Sequence, residues 1–211
     1  HLTEMETEER KRFFASHDRK GSVEHLNHID RVIAVMSGKG GVGKSSVAAL
    51  LAIALRGQGK QVGILDADIT GPSIPKMLFP VRLQPGVTPG AILPVESSMG
   101  TKVISINLLL PHEDDAVIWR GPLISTAIKQ FWGDVLWGDL DYLIVDLPPG
   151  TSDASLTVMQ SLPLEGILLV TLPQALAGMV VKKAAQMARK VGTPILGVIE
   201  NMSYFICPDS G

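Results

Sequence analysis

Cysteine is almost missing from this chain of 211 residues, where Cys207 is the only one. No internal disulfide can form, and a lone thiol suits a reducing compartment while leaving its own role open. An excess of positive charge is also missing. Lys and Arg number 19 against 21 Asp and Glu, a formal net charge of −2, which argues against a general nucleic-acid surface. No apolar run reaches about 18 residues, so no membrane-spanning helix is expected. The N-terminus lacks the basic, then apolar, then small-residue order of a secretory leader. Repeats and low-complexity tracts are absent. The expectation is a soluble, cytoplasmic protein with no nucleic-acid and no membrane partner.

What is present is apolar patterning. Hydrophobic residues make up 45% of the chain, enough to bury a sizeable core and to exclude overall disorder. Residues 1–30 are charged and lack an apolar period, so they read as a loosely packed N-terminal arm. Within it, 4–14 could form a short helix docked by Phe13 and Phe14. From Arg31 short aliphatic runs recur at 32–36, 62–65, 103–106, 142–145, 167–170 and 195–199. None alternates cleanly with polar residues, which suits strands covered on both faces. Helix-like segments fall between them at 45–55, 123–136, 152–162 and 175–191. This alternation predicts an α/β fold, a mostly parallel central sheet with helices on both faces. The stretch from Gly71 to Gly100, rich in proline and glycine, reads as a long loop with one short hairpin at 91–95.

One motif carries chemistry by itself. Gly38-Lys39-Gly40-Gly41-Val42-Gly43-Lys44-Ser45 matches G-x-x-x-x-G-K-S/T between a buried strand and a buried helix, the context that a phosphate-binding P-loop requires. The glycines let successive backbone N–H groups point at an anion, and the helix N-terminus adds its dipole. Lys44 is expected on the β- and γ-phosphates of ATP, Ser45 on Mg²⁺, and Ser46 in the same cradle. The span 31–211 is therefore assigned as one P-loop ATPase domain. Its C-terminal end is expected to be incomplete, because the chain stops just after a Cys-Pro turn.

Carboxylates follow the strands, where open α/β sheets bind ligands. Asp66 and Asp68 come directly after 62–65, and Asp146 ends 142–145. Asp146 occupies the position that holds Mg²⁺, Asp66 is assigned near the Mg²⁺ shell, and Asp68 is the candidate to position the attacking water. An ordinary turn-capping role is the competing reading for Asp66. Gly150 is expected to give its N–H to the γ-phosphate. Asn201 is a turn asparagine on spacing alone, and Gln174 is a weaker candidate for the same neighbourhood. The acidic triplet Glu113-Asp114-Asp115 reads as a solvated loop, and Phe131, Trp119, Trp132 and Trp137 as packing residues. Arg120, at a helix start, is a candidate for a partner contact.

Lys39 is not needed for cradling phosphate within one subunit. With it, the loop resembles the deviant Walker A group of P-loop ATPases. The resemblance implies that Lys39 reaches across a homodimer to the partner's nucleotide, closing an ATP sandwich. The stretches GKGGVGKSS, DADITGPSIPKML, VIWRGPL, DYLIVDLPPGTSD, TLPQALAGMVVKKA and ENMSYFICP together resemble the Mrp/ApbC family over about Arg31 to Pro208. That family implies an ATPase that carries a 4Fe–4S cluster at a dimer interface and delivers it to apo iron–sulfur proteins. It also implies that Asn201 contacts the adenine edge.

The resemblance breaks at the tail. The family's bridging C-x-x-C corresponds here to Cys207-Pro208-Asp209-Ser210, with a serine where the second thiolate is expected. A serine hydroxyl is a poor iron ligand beside a thiolate. Cys207 keeps three readings: a ligand to a cluster or to zinc across the dimer, a metal-free contact, or an inert thiol. Two other functions compete with the carrier. One is an ATP-switch paralogue without cluster binding, supported by Ser210. The other is a positioning ATPase, which calls for a basic face or a C-terminal amphipathic helix.

Overall fold

The computed structural model describes residues 23–68, 73–81, 83–88, 90–105, 108, 121–151, 153–173 and 177–204. Most of the N-terminal arm, the acidic triplet, Trp119, Arg120, Gln174, Cys207 and Ser210 lie outside the described residues. A short 3₁₀ turn, Glu24–Leu26, precedes β1 (His28–Ser37). Then come α1 (Lys44–Gly57), β2 (Val62–Asp66), α2 (Ile74–Leu78), β3 (Gly86–Thr88), β4 (Ala91–Leu93), β5 (Val95–Glu96) and β6 (Lys102–Ser105). The chain continues through α3 (Gly121–Gly133), β7 (Asp139–Asp146), α4 (Asp153–Ser161), β8 (Gly166–Thr171), α5 (Ala177–Val191) and β9 (Ile195–Glu200).

Seven strands form one sheet in the order β5-β6-β2-β7-β1-β8-β9. The pairings β6–β2, β2–β7, β7–β1, β1–β8 and β8–β9 are parallel, and among the described residues only the short edge strand β5 runs antiparallel in this sheet. The predicted α/β architecture is thus observed. Because strand side chains alternate in direction, each buried strand feeds two cores. Val32, Ala34 and Met36 of β1 join the cluster packed by α3, α4 and α5, whereas Val35 joins the one packed by α1 and α2. Both faces are dry, which explains the continuous apolar runs.

Several boundaries differ from expectation, each with a local cause. Strand β1 begins at His28, four residues before the apolar run, because backbone pairing with β7 continues past the last buried side chain. Helix α3 stops at Gly133, after which the chain turns so that Ile92 N–H reaches the Asp134 carbonyl at 2.8 Å. The 71–100 stretch is more ordered than a loop. Pro75 at the start of α2 costs no hydrogen bond there. The hairpin is Gly86–Thr88 with Ala91–Leu93, and Val95 leaves it to pair with β6, since Pro94 has no N–H to continue a ladder. Strand β9 alternates half-buried and exposed residues, as an edge strand does.

Among the described residues Trp137 is the largest fully buried side chain, and its indole N–H donates to the Phe131 carbonyl at 2.9 Å. It packs on β2 at Gly63, where an added Cβ would lie 3.0 Å from Trp137 Cζ3 and 2.8 Å from Leu140 Cδ1. Gly63 is thus selected by space. Gly63→Ala is expected to lower stability by about 1–3 kcal/mol through overpacking, read as a drop in the urea midpoint at unchanged m-value. An unshifted midpoint would show that the Trp137 wall yields freely.

Candidate functional site

The C-terminal ends of β1, β2 and β7 lie side by side, with Asp66 in register with Asp146 and Val35 opposite Asp146. The P-loop leaves β1 here and enters α1. Gly41 and Gly43 have φ of +76° and +82°, left-handed values that a side chain would resist. Gly43 has no room either: a Cβ would come within 2.3 Å of Asn201 Nδ2. Asn201 holds the loop from that side, donating from Nδ2 to the Val42 carbonyl at 3.0 Å while its own N–H donates to the Thr171 carbonyl at 2.8 Å.

Lys44 is 5% exposed and extends over the strand ends. Its Nζ lies 2.5 Å from Asp146 Oδ1 and 3.7 Å from Asp68 Oδ2. Ser45 Oγ donates to the other oxygen of Asp146 at 2.5 Å. The Asp68 N–H donates to Asp66 Oδ1 at 3.2 Å, and Asp66 Oδ2 is buried with no hydrogen-bond partner. Lys44, Ser45, Asp66, Asp68 and Asp146, separated by up to 102 residues, thus form one cluster. Ser46 departs from it, since its hydroxyl contacts the Met77 thioether at 3.7 Å.

Burial dominates the electrostatics. Asp66 is pushed up to about 8 by desolvation first and by the nearby Asp146 charge second, only partly offset by the Asp68 N–H, Lys44 and Ser105. Asp146 is also raised, by desolvation, against the pull of Lys44 and Ser45. Three carboxylates share one ammonium, so burial and like charge favour the protonated form of Asp66 and oppose ionisation of Asp146. The donor set of hydroxyl and carboxylate oxygens, with one buried carboxylate oxygen unsatisfied, fits a hard cation such as Mg²⁺. Among the described residues, no group of three or more His, Cys, Asp or Glu forms a metal site by itself.

At Gly150, where φ is +83°, the N–H donates to the Ser37 carbonyl at 2.9 Å. Ser37, Ser155 and Ser105 are polar residues around the site that the sequence did not single out. No motif marks them, because Ser37 and Ser155 act on backbone groups whose positions only the folded loops fix, and Ser105 acts on the distant Asp66.

The raised carboxylates set a pH dependence. A proton bound by folded but not unfolded Asp66 makes stability fall as pH rises from the ordinary Asp value towards about 8. For that one proton the slope reaches about 1.4 kcal/mol per pH unit, and Asp146 adds in the same direction. Asp66→Asn, measured without Mg²⁺ or nucleotide, should be more stable than the parent at neutral pH and show a flatter profile. Parallel stability–pH curves for the two proteins would contradict the assignment.

Comparison with known proteins agrees with this geometry. Residues 28–211 match the family described as ParA: NUBPL iron-transfer P-loop NTPase. An iron–sulfur cluster carrier protein of Methanocaldococcus jannaschii is 52% identical over 186 residues, covering 88% of this chain and 64% of that protein. Its Escherichia coli K12 counterpart is 48% identical, with 88% and 50% covered. The chain thus spans about half to two thirds of the length of these curated relatives. Among solved structures, an Archaeoglobus fulgidus nucleotide-binding protein in complex with ADP superposes with TM-score 0.76 at 49% identity, covering 87% of this chain and 71% of that one. The Pyrococcus horikoshii septum site-determining protein MinD, complexed with Mg-ADP, gives 0.56 at 25% identity, with 82% and 70% covered. With its P-loop set over the carboxylates of β2 and β7 and this match across nearly the whole chain, the protein belongs to the NUBPL iron-transfer P-loop NTPase family.

Proposed function

We propose that this protein is an ATP-hydrolysing iron–sulfur carrier that holds a 4Fe–4S cluster between two copies of itself and passes it to apo iron–sulfur proteins. The observation that carries the reading is the convergence of Lys44, Ser45, Asp68 and Asp146 under the P-loop, in a chain about half identical to iron–sulfur cluster carrier proteins. A cytoplasmic, reducing setting suits a thiolate-held cluster.

In this reading the N–H groups of Gly38 to Ser45 bind the phosphates of ATP, and Lys44 exchanges its hold on Asp146 for the β- and γ-oxygens. Ser45 and Asp146, with Asp66 behind them, would hold Mg²⁺, which neutralises phosphate charge when bound. Asp68 orients the attacking water. Lys39 acts on the partner's nucleotide, adding positive charge where the transition state spreads its own. Asn201, with Nδ2 turned to Val42, offers its carbonyl oxygen to the adenine edge. Gly150 would leave Ser37 to meet the γ-phosphate, which couples its loop to hydrolysis. Hydrolysis is spent on opening and closing the dimer.

Ser210 favours a second reading, an ATP switch that carries no cluster. Two tails with C-x-x-S supply two thiolates instead of four, so either Cys207 pairs suffice with other ligands or the cluster is absent. Zinc is an alternative occupant.

Two experiments decide. Anaerobic reconstitution with ferrous iron and sulfide should give about four irons per dimer with a broad absorbance near the visible, as thiolate-ligated clusters show, and Ser210→Cys should raise the occupancy. ATPase activity with no iron retained by either protein would establish the switch reading instead. Lys39→Ala should lower kcat by roughly 10²-fold or more, the scale of a lost trans cation. Unchanged turnover would remove Lys39 from the partner's site.

A further inference from the structure

A chain of hydrogen bonds leads from a helix outside the phosphate site to the first half of the P-loop. Ser155, in the first turn of α4, is fully buried. Its hydroxyl lies 3.0 Å from the Pro148 carbonyl and 3.2 Å from the Gly150 carbonyl, sharing one proton between them. The Gly150 N–H donates to the Ser37 carbonyl at 2.9 Å. Ser37, 1% exposed, in turn donates its hydroxyl to the Lys39 carbonyl at 2.9 Å. The two loops also touch directly: a Cβ on Gly40 would lie 4.0 Å from Pro149 Cβ, and one on Gly150 would lie 3.9 Å from the Gly38 carbonyl oxygen.

Ser155 is the third residue of α4, not its cap, and it donates to carbonyls of the loop before the helix. Its hydroxyl therefore serves the 148–150 loop. In a buried setting such bonds are strong, and losing one leaves two carbonyls to find other donors.

We infer that Ser155 is a positioning residue for Lys39, acting through Gly150 and Ser37. While Gly150 is bonded to Ser37, the carbonyl of Lys39 is held and the loop keeps one shape. A phosphate that drew the Gly150 N–H away would release the Ser37 backbone carbonyl and so loosen the backbone that carries both the Ser37 hydroxyl and the Lys39 segment. Ser155 limits how far the 148–150 loop travels in that exchange. The inference rests on the ATPase reading only for its kinetic consequence.

The test therefore begins without nucleotide. Amide hydrogen exchange in the free protein should show Gly150 and the 38–41 segment exchanging roughly tenfold faster in Ser155→Ala, the scale of one lost hydrogen bond. Ser155→Thr, which keeps the hydroxyl, should restore protection. Thr157→Ala, which removes a contact between Thr157 Oγ1 and the Asp153 carbonyl on the same helix, should leave both segments unchanged. Ser37→Ala should speed exchange at 38–41 and serves if Ser155→Ala does not fold. In ATP turnover, Ser155→Ala should lower kcat several-fold with KM within about threefold, a loss confined to the transition state. In the Ser155/Ser37 double mutant the two losses should be non-additive, as for groups acting as a unit. Unchanged exchange at 38–41 in both single mutants, or additive kinetic losses, would overturn the inference. If the parent chain hydrolyses no ATP, only the ATPase reading fails and the exchange result still stands.

Discussion

The ion pair between Lys44 and Asp146 is the constraint around which the rest of the structure is arranged. An ammonium and a carboxylate, both almost fully buried, are costly to remove from water unless each finds the other with good geometry. That geometry depends on β1 lying beside β7 in one register, because Lys44 follows β1 and Asp146 ends β7. The same register places Asp66 against Asp146, which creates the opposite problem of too much negative charge. Lys44 offsets part of that charge, and the Asp66 carboxyl is pushed up to about 8. A site balanced in this way is poised for a cation and a polyphosphate, since both replace interactions that are only partly satisfied.

The P-loop is held from two sides by groups that do not belong to its motif. Asn201 closes on Val42 and Gly43 from the end of β9, and Ser37 with Gly150 closes on Lys39 from the ends of β1 and β7. Glycine at 43 therefore answers both a left-handed backbone and a side chain packed against it. Both contacts come from segments that begin where a strand ends. Parallel strands deliver all such segments to one edge of the sheet, and this is why that edge binds ligands.

What the dimer would carry turns on a different part of the chain. Relatives named as iron–sulfur cluster carriers match over most of this sequence, yet Ser210 stands where a second thiolate is expected. Thiolate and hydroxyl differ little in size and greatly in their affinity for iron. In the proposed reading the phosphate chemistry and the cargo chemistry would be separable, one resting on oxygen and nitrogen ligands at the sheet and the other on a thiolate of the chain.

The sequence alone determined the α/β class, the P-loop and the strand-terminal positions of Asp66, Asp68 and Asp146. Apolar period, glycine spacing and the G-K-S signature are local patterns, and local patterns survive in one dimension. Element ends were less legible, as at His28 and Gly133, because pairing with distant backbone decides where a strand or helix stops. The hairpin at 86–93 was displaced from its expected place for the same reason. Only the tertiary structure decided that Gly150 spends its N–H on Ser37, that Ser46 turns to Met77, and that Asn201 braces Val42. It also decided that Asp66 and Asp146 are raised above the ordinary carboxylate range, since burial and the spacing of like charges exist only once the sheet has formed. The motif names a phosphate loop; the packing around it determines how firmly the loop is held and by which residues.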